Sequence, residues 1–531
     1  MLAFLVTAAC SQRAAHLDRV VGAAAPTTTT GTGAPQTQAA AAESNGTSGS
    51  GVAAPQRRAG SANTAARAAA TSAPTQPGPV TFHVFDANGA RLSWASFRTM
   101  QSNSKGASGV NDMLLDPGSL TVLQSFPLHK TSTGDPGFDL PARPVTLSLA
   151  WPTADGYSTL LLDVTQPGTY NFNLLAAEQA VASLDAAVAA RPAYRPSPDF
   201  AAASQQAHAQ LDSAHAAPDE GAQGAHAAAA LDHAVHASVT LLTEYGQQYG
   251  AANRALRPQW GVTFDDISGG QGDLSTVRDL VGGDPQDGWV RIVFDRQETA
   301  ASYVDEVNTA HGLGLHVLGQ LLDSSDMAKV DLGQWQSRVA SYVATLPSVD
   351  EWEIGNEVNG NWLGADVAAK VAYAASYVKA HTGARTLLTL YWQLGEDDAA
   401  HSMFTWLHAN VSPDTMAHID DVGLSLYPED HPMGAAFDRV VATLHAAAPG
   451  RRVLVTELDY WSPDLDHTWT WGPANDPAGA GRLQLARFYQ SAIMGYPYSG
   501  GGAYWWYYLA EALPKNQLWS TLASVHAAVA G

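Results

Sequence analysis

One cysteine in 531 residues, Cys10, excludes an intrachain disulfide. Basic residues are few as well: 28 Lys and Arg stand against 50 Asp and Glu, for a formal net charge of −22 at pH 7. That balance argues against nucleic acid or an anionic membrane as partner, because both need positive patches. It suits a protein acting on a neutral polymer. No stretch reaches the roughly 18 consecutive apolar residues of a membrane-spanning helix. Large apolar residues are scarce over 20–78, where Thr27-Thr28-Thr29-Thr30 and Ala39-Ala40-Ala41-Ala42 typify a low-complexity run. Such a run cannot bury enough surface to order itself, so the expectation is a disordered tether.

Residues 1–19 hold Leu2-Ala3-Phe4-Leu5-Val6, then Thr7-Ala8-Ala9 and Cys10. This resembles a bacterial lipoprotein signal, with Thr7 where a Leu is usual and no Lys or Arg before the apolar run. The resemblance implies export, a lipid anchor at Cys10, and a secreted or envelope-attached location. A cytosolic protein with a ragged N-terminus is the alternative. Residues 79–174 change character: Val80 to Phe85, Val145 to Trp151, Ser158 to Val164 and Gly168 to Leu174 read as short strands separated by turns. The pattern predicts a β-sandwich-like accessory domain, either carbohydrate-binding or purely structural. Residues 175–257 are Ala-rich with helical spacing and are expected as a connecting helical segment. His233 and His236 share a helix face there near Asp232. Exposed histidines explain them better than a metal site, since no second ligand pair is placed. No metal or organic cofactor is expected.

From 258 to 531 strand-like and helical stretches alternate. The strands read as 261–264, 290–294, 315–320, 351–356, 386–391, 422–427, 453–456 and 502–506. Helices are expected at 299–311, 332–346, 365–381, 399–409, 435–448 and 479–494. Eight such strands predict a (β/α)8 TIM barrel, whose active site lies at the C-terminal strand ends. A doubly wound open sheet is disfavoured, because no Gly-rich phosphate turn follows the first strand.

Two apolar runs end in glutamates one hundred positions apart: Trp352-Glu353-Ile354-Gly355-Asn356-Glu357 and Arg452-Val453-Leu454-Val455-Thr456-Glu457. Carboxylates at two strand ends match what glycosidic cleavage needs, a proton donor for the leaving oxygen and a partner for the developing positive charge. Glu353 reads as an interior support and Asp459 as a competing nucleophile.

The Asn356-Glu357 pair resembles the Asn-Glu motif of clan-A retaining glycoside hydrolases, over residues 258–531. Within the clan, Ile354 to Gly360 and Gly423-Leu424-Ser425-Leu426-Tyr427-Pro428 are most similar to the endo-β-1,4-galactanases. Trp352-Glu353-Ile354 is similar to β-xylosidase-type members. Gln320 stands where galactanases carry a His. The resemblance implies Glu357 as acid/base, at the end of strand four, and Glu457 as nucleophile, at the end of strand seven. It further implies Asn356 on the sugar 2-hydroxyl, Arg291 and Tyr427 keeping Glu457 ionised, and Trp505 stacking on the sugar.

Trp461, Trp469 and Trp471 follow the seventh strand and suit a sugar cleft, since indoles stack on pyranose C–H faces. The expected activity is retaining hydrolysis of β-linked poly- or oligosaccharide by a monomer. A non-catalytic polysaccharide-binding protein on a decayed barrel and an exopolysaccharide transglycosylase are the alternatives.

Overall fold

A computed structural model describes residues 76–101, 112–153, 155–256, 258–265, 273–282, 288–395, 398–428, 431–460 and 480–530. Cys10 and the signal-like segment, nearly all of the tether, and Trp461, Trp469 and Trp471 lie outside these residues.

Eight short strands come first: β1 Gly78–His83, β2 Met113–Leu115, β3 Val122–Ser125, β4 His129–Lys130, β5 Pro136–Leu140, β6 Val145–Thr153, β7 Gly156–Val164 and β8 Gly168–Asn171. They form two four-stranded sheets, ordered β4-β5-β1-β8 and β3-β2-β6-β7. Val80, Phe82 and Phe138 from one sheet share an apolar core with Leu114, Leu147, Leu149 and Leu162 from the other. The sequence pattern extends the last strand to 174. The strand stops at Asn171, whose side chain accepts from the Leu174 backbone N–H and caps helix Phe172–Ala189.

Helices Pro198–His215 and Glu220–Ala252 follow, capped by Ser197 and Asp219. The second, with 33 residues, is long enough to serve two cores. Leu231 and Val235 join the core of the two sheets, and Val239 and Leu242 join that of the next unit. Gly246 makes the second contact possible: a Cβ there would sit 1.9 Å from the Ser491 carbonyl oxygen.

The C-terminal part is a closed eight-stranded parallel barrel: β9 Gln259–Phe264, β10 Gly288–Val293, β11 His316–Gln320, β12 Glu351–Gly355, β13 Arg385–Tyr391, β14 Asp421–Leu426, β15 Arg452–Leu458 and β16 Ser499–Trp505. Each strand is followed by a helix, so the fold is a (β/α)8 barrel. Helices Ser275–Leu280 and Gln517–Ala530 were not anticipated. The strands read as near-continuous apolar runs because both faces are covered. Trp289, Leu318, Leu387, Leu454 and Tyr504 fill an inner layer. Val290, Val317, Ile354, Leu388, Val422 and Val455 belong to the larger core shared with the helices. This alternation fixes which residues of each strand face the barrel axis.

The two sheets touch the barrel near the strand ends that carry the glutamates. Thr159 of β7 donates its backbone N–H to the Met433 carbonyl at 3.2 Å and its hydroxyl to that of Pro432. Arg439 donates to the Leu161 and Pro117 carbonyls and to Asp163.

Candidate active site

Arg291 shares the inward face of β10 with Trp289 and is completely buried. Its Nε donates to Glu353 Oε2 at 2.8 Å, and its Nη2 donates to Glu353 Oε1 at 3.2 Å and Glu457 Oε2 at 3.0 Å. Burial opposes the guanidinium charge, but the Glu353 and Glu457 carboxylates outweigh it and raise its pKa. Glu353 also accepts from Thr389 Oγ1 at 2.6 Å and from Asn356 Nδ2 at 3.3 Å. It is the interior support expected from the sequence.

Strict alternation would not bring the two candidate glutamates to this place. Leu454 faces inward, so an unbroken strand would turn Glu457 outward. A register shift intervenes: Leu424 pairs with Val455, whereas Ser425 pairs with Glu457, so Thr456 is the extra residue of a bulge. A second shift, between Glu353 and Gly355, re-aims the end of β12. Two residues on, Glu357 takes a left-handed backbone conformation, φ 50°, uncommon for a residue with a side chain and typical of functional sites.

Donors converge on the aimed Glu457. Its Oε2 accepts from Arg291 and from Asn356 Nδ2 at 3.3 Å, and its Oε1 accepts the Tyr427 hydroxyl. Glu357 is held by two hydroxyls, Ser324 Oγ at 2.6 Å and Ser425 Oγ at 2.7 Å. Ser425 is the cross-strand partner of Glu457, so one serine links the surroundings of the two carboxyls. Asn356 is itself fixed by the Ser324 backbone N–H at 3.0 Å. Glu357 and Glu457 are only 2 % and 3 % exposed, which sets their electrostatics.

Burial pushes the Glu457 carboxyl up to about 8, and the Glu357 and Asp323 carboxylates add to the rise. Arg291 and the Tyr427 hydroxyl pull the other way without cancelling it. Arg291 and Tyr427 thus favour the charged form of Glu457, while desolvation and like charge oppose it.

Trp505 requires a correction. Tyr504 lies in the inner layer, so Trp505 faces outward into the helix-packed core, where it is fully buried and donates Nε1 to Glu511 at 2.8 Å. Trp506 is the inward, partly exposed indole, with the Arg291 guanidinium 5.1 Å from its ring centre. Tyr391, which carried no signal in the sequence reading, adds an aromatic wall: Trp362 meets it edge-on at 5.3 Å, and His431 at 5.4 Å. Ser324 carries no motif, and Ser425 lies in the Gly423 to Pro428 segment without a role of its own until its hydroxyl is seen on Glu357. Asp459 is buried two residues beyond Glu457, and its backbone N–H bonds the Leu426 carbonyl at 3.2 Å. Among the described residues no cluster of three or more His, Cys, Asp or Glu could hold a metal ion. His236 bonds Asp155 at 2.6 Å and Asp199 at 3.3 Å.

No family model and no curated protein matches the chain. Among solved structures, a GH113 β-1,4-mannanase in complex is similar at 13 % identity and TM-score 0.35, covering 51 % of this chain and 98 % of that one. A GH10 xylanase from Bispora sp. MEY-1 with xylobiose is similar at 14 % identity and TM-score 0.36, covering 52 % and 99 %. A deoxyribose-phosphate aldolase from Toxoplasma gondii ME49 scores 0.31 at 12 % identity, covering 53 % and 98 %. Likenesses this slight carry no chemistry to this chain. The barrel stands on its own closed strand order, and its chemistry must be argued from the residues gathered at the strand ends.

Proposed function

We propose that the protein is a retaining glycoside hydrolase of the clan-A type, acting on a β-linked poly- or oligosaccharide. The observation that carries this reading is the convergence of Arg291, Asn356 and Tyr427 on Glu457, with Glu357 joined to it through Ser425. In the first step Glu457 attacks the anomeric carbon while Glu357 gives its proton to the leaving oxygen. That breaks the glycosidic bond and forms a glycosyl ester on Glu457. In the second step Glu357 takes a proton from water, and the water oxygen displaces Glu457.

The hydrogen bonds support this division of labour. All three donors on Glu457 favour a charged carboxylate. Glu357 is bonded by the Ser324 and Ser425 hydroxyls, which accept as readily as they donate and so tolerate a protonated carboxyl. Negative charge in excess of the one buried guanidinium also suits the positive charge that develops on the sugar.

The test is a product screen of the full chain on β-galactan, β-glucans, xylan, mannan and aryl β-glycosides, with the Glu357→Gln, Glu457→Gln double variant as control. Cleavage by the wild type alone, with the first-formed anomer retained, is the expected result. An inverted first product would overturn the double displacement. Equal polysaccharide binding by both proteins, with no cleavage, would overturn the enzyme.

A further inference from the structure

Gln320 is the last residue of β11 and pairs in register with Val293 of β10 and Glu353 of β12. Leu318, two residues earlier, belongs to the inner layer of the barrel. Alternation therefore aims Gln320 inward, one step nearer the C-terminal rim, beside the residue that holds Arg291. Its side chain is fully buried, and neither Nε2 nor Oε1 has a hydrogen-bond partner among the described residues. The groups beside it are not short of partners: Glu353 alone is bonded by Arg291, Thr389 and Asn356. A buried amide with both ends unbonded weakens a fold, and native proteins keep such groups where a water, an ion or a ligand completes them.

We infer that Gln320 is a substrate-binding residue whose amide holds the hydroxyls of the sugar ring lying between Glu357 and Glu457. This inference rests on the glycosidase reading and narrows its substrate class. An amide presents one donor group and one acceptor. A sugar hydroxyl, or a vicinal pair of them, can accept from Nε2 and donate to Oε1 together. A uronic carboxylate can only accept and would leave Oε1 facing an anion. An ammonium can only donate and would face Nε2. The substituent opposite β11 is therefore a free hydroxyl rather than a carboxylate or an ammonium.

The experiment uses the full chain and the 4-nitrophenyl β-glycoside of the sugar identified by the product screen. A set of its monodeoxy analogues, each lacking one ring hydroxyl, completes the probes. Gln320→Met keeps the unbranched shape and removes the amide. We expect kcat/KM to fall by about 10- to 100-fold on the parent glycoside. On one deoxy analogue, wild type and variant should differ by less than about twofold. The thermal midpoint should hold or rise, because no protein partner is lost.

Wild-type kcat/KM in Gln320→Met, or the same loss on every analogue, would overturn the inference while leaving the glycosidase intact. A lowered midpoint or failure to fold would also overturn it, since the amide would then serve the fold. Absence of cleavage by the wild type on every polysaccharide and glycoside would instead overturn the glycosidase reading, and this inference with it.

Discussion

At the N-terminal end of the barrel, Asp421 is gripped by two arginines: Arg385 through hydrogen bonds at 2.9, 2.7 and 2.6 Å, and Arg452 through two at 2.8 and 2.7 Å. Glu351 lies beside it, with Gln259 donating to Glu351 and accepting from Tyr504 at 2.6 Å. At the C-terminal end, Arg291 serves Glu353 and Glu457, with Glu357 close by through Ser425. Both clusters are buried and both mix carboxyl groups with guanidiniums, but their charge differs. Below, burial and the Asp421 charge raise Glu351 well above the usual carboxyl range. Burial also works against Asp421, yet hydrogen bonds from Arg452 and Glu351 hold it low. That end is an ordinary stability device of a barrel floor. Above, the carboxyl groups outnumber the guanidinium, the strands carry bulges, and Glu357 sits at positive φ. Surplus negative charge kept in a dry place favours a proton within the cluster and suits a cationic partner.

The sharpest way to break this comparison is to remove one carboxyl from each end. Glu457→Gln should lower kcat by at least about 10³-fold and leave the thermal midpoint equal or higher. Azide added to Glu457→Ala should restore turnover and yield a glycosyl azide of inverted configuration, detected by NMR. Full activity in either variant would end the assignment. At the floor, Asp421→Ala should cost about 3–5 kcal/mol of stability, read by urea unfolding. Its kcat, measured on the folded fraction, should stay within about threefold. A loss of kcat without a loss of stability would reverse the roles given to the two ends.

Smaller effects sharpen the picture. Tyr427→Phe should lower kcat by about 10- to 100-fold, because a donor to the Glu457 charge is lost. The pH dependence has a definite sign. A carboxyl raised from 4.5 to about 8 in the folded state binds more protons than in the unfolded chain. Its stabilising effect is complete below about 4.5 and is lost as pH rises through about 8. The midpoint should therefore fall by several degrees over that range in a pH series, and Glu457→Gln should flatten the fall. An identical slope in the variant would place the titrating group elsewhere. Least of all, Ser425→Ala should reduce kcat by about fivefold, the worth of one neutral hydrogen bond.

The barrel was legible because its strands are buried on both faces and appear as apolar runs, with amphipathic helices between them. Asn356-Glu357 and Glu457 stood out because each ends such a run. Helix Gln517–Ala530 carries the same kind of signal, with Leu518, Leu522, Val525 and Val529 at helical spacing. Trp505 and Trp506 could not be told apart, since adjacent residues of a strand differ only in the face they take. That face depends on a register that shifts between Gly502 and Trp505, where Gly502 and Ala503 take positive φ.

By itself, the sequence determined the alternation of strands and helices, the positions of two carboxylates at strand ends, and the acidic balance of the chain. These follow from local pattern and composition. Only the tertiary structure decided that Glu457 faces inward, that Trp506 rather than Trp505 lies over Arg291, and that the Gln320 amide is left unbonded. Each depends on pairing across strands distant in the chain, where one extra residue in a bulge turns a side chain from one face to the other.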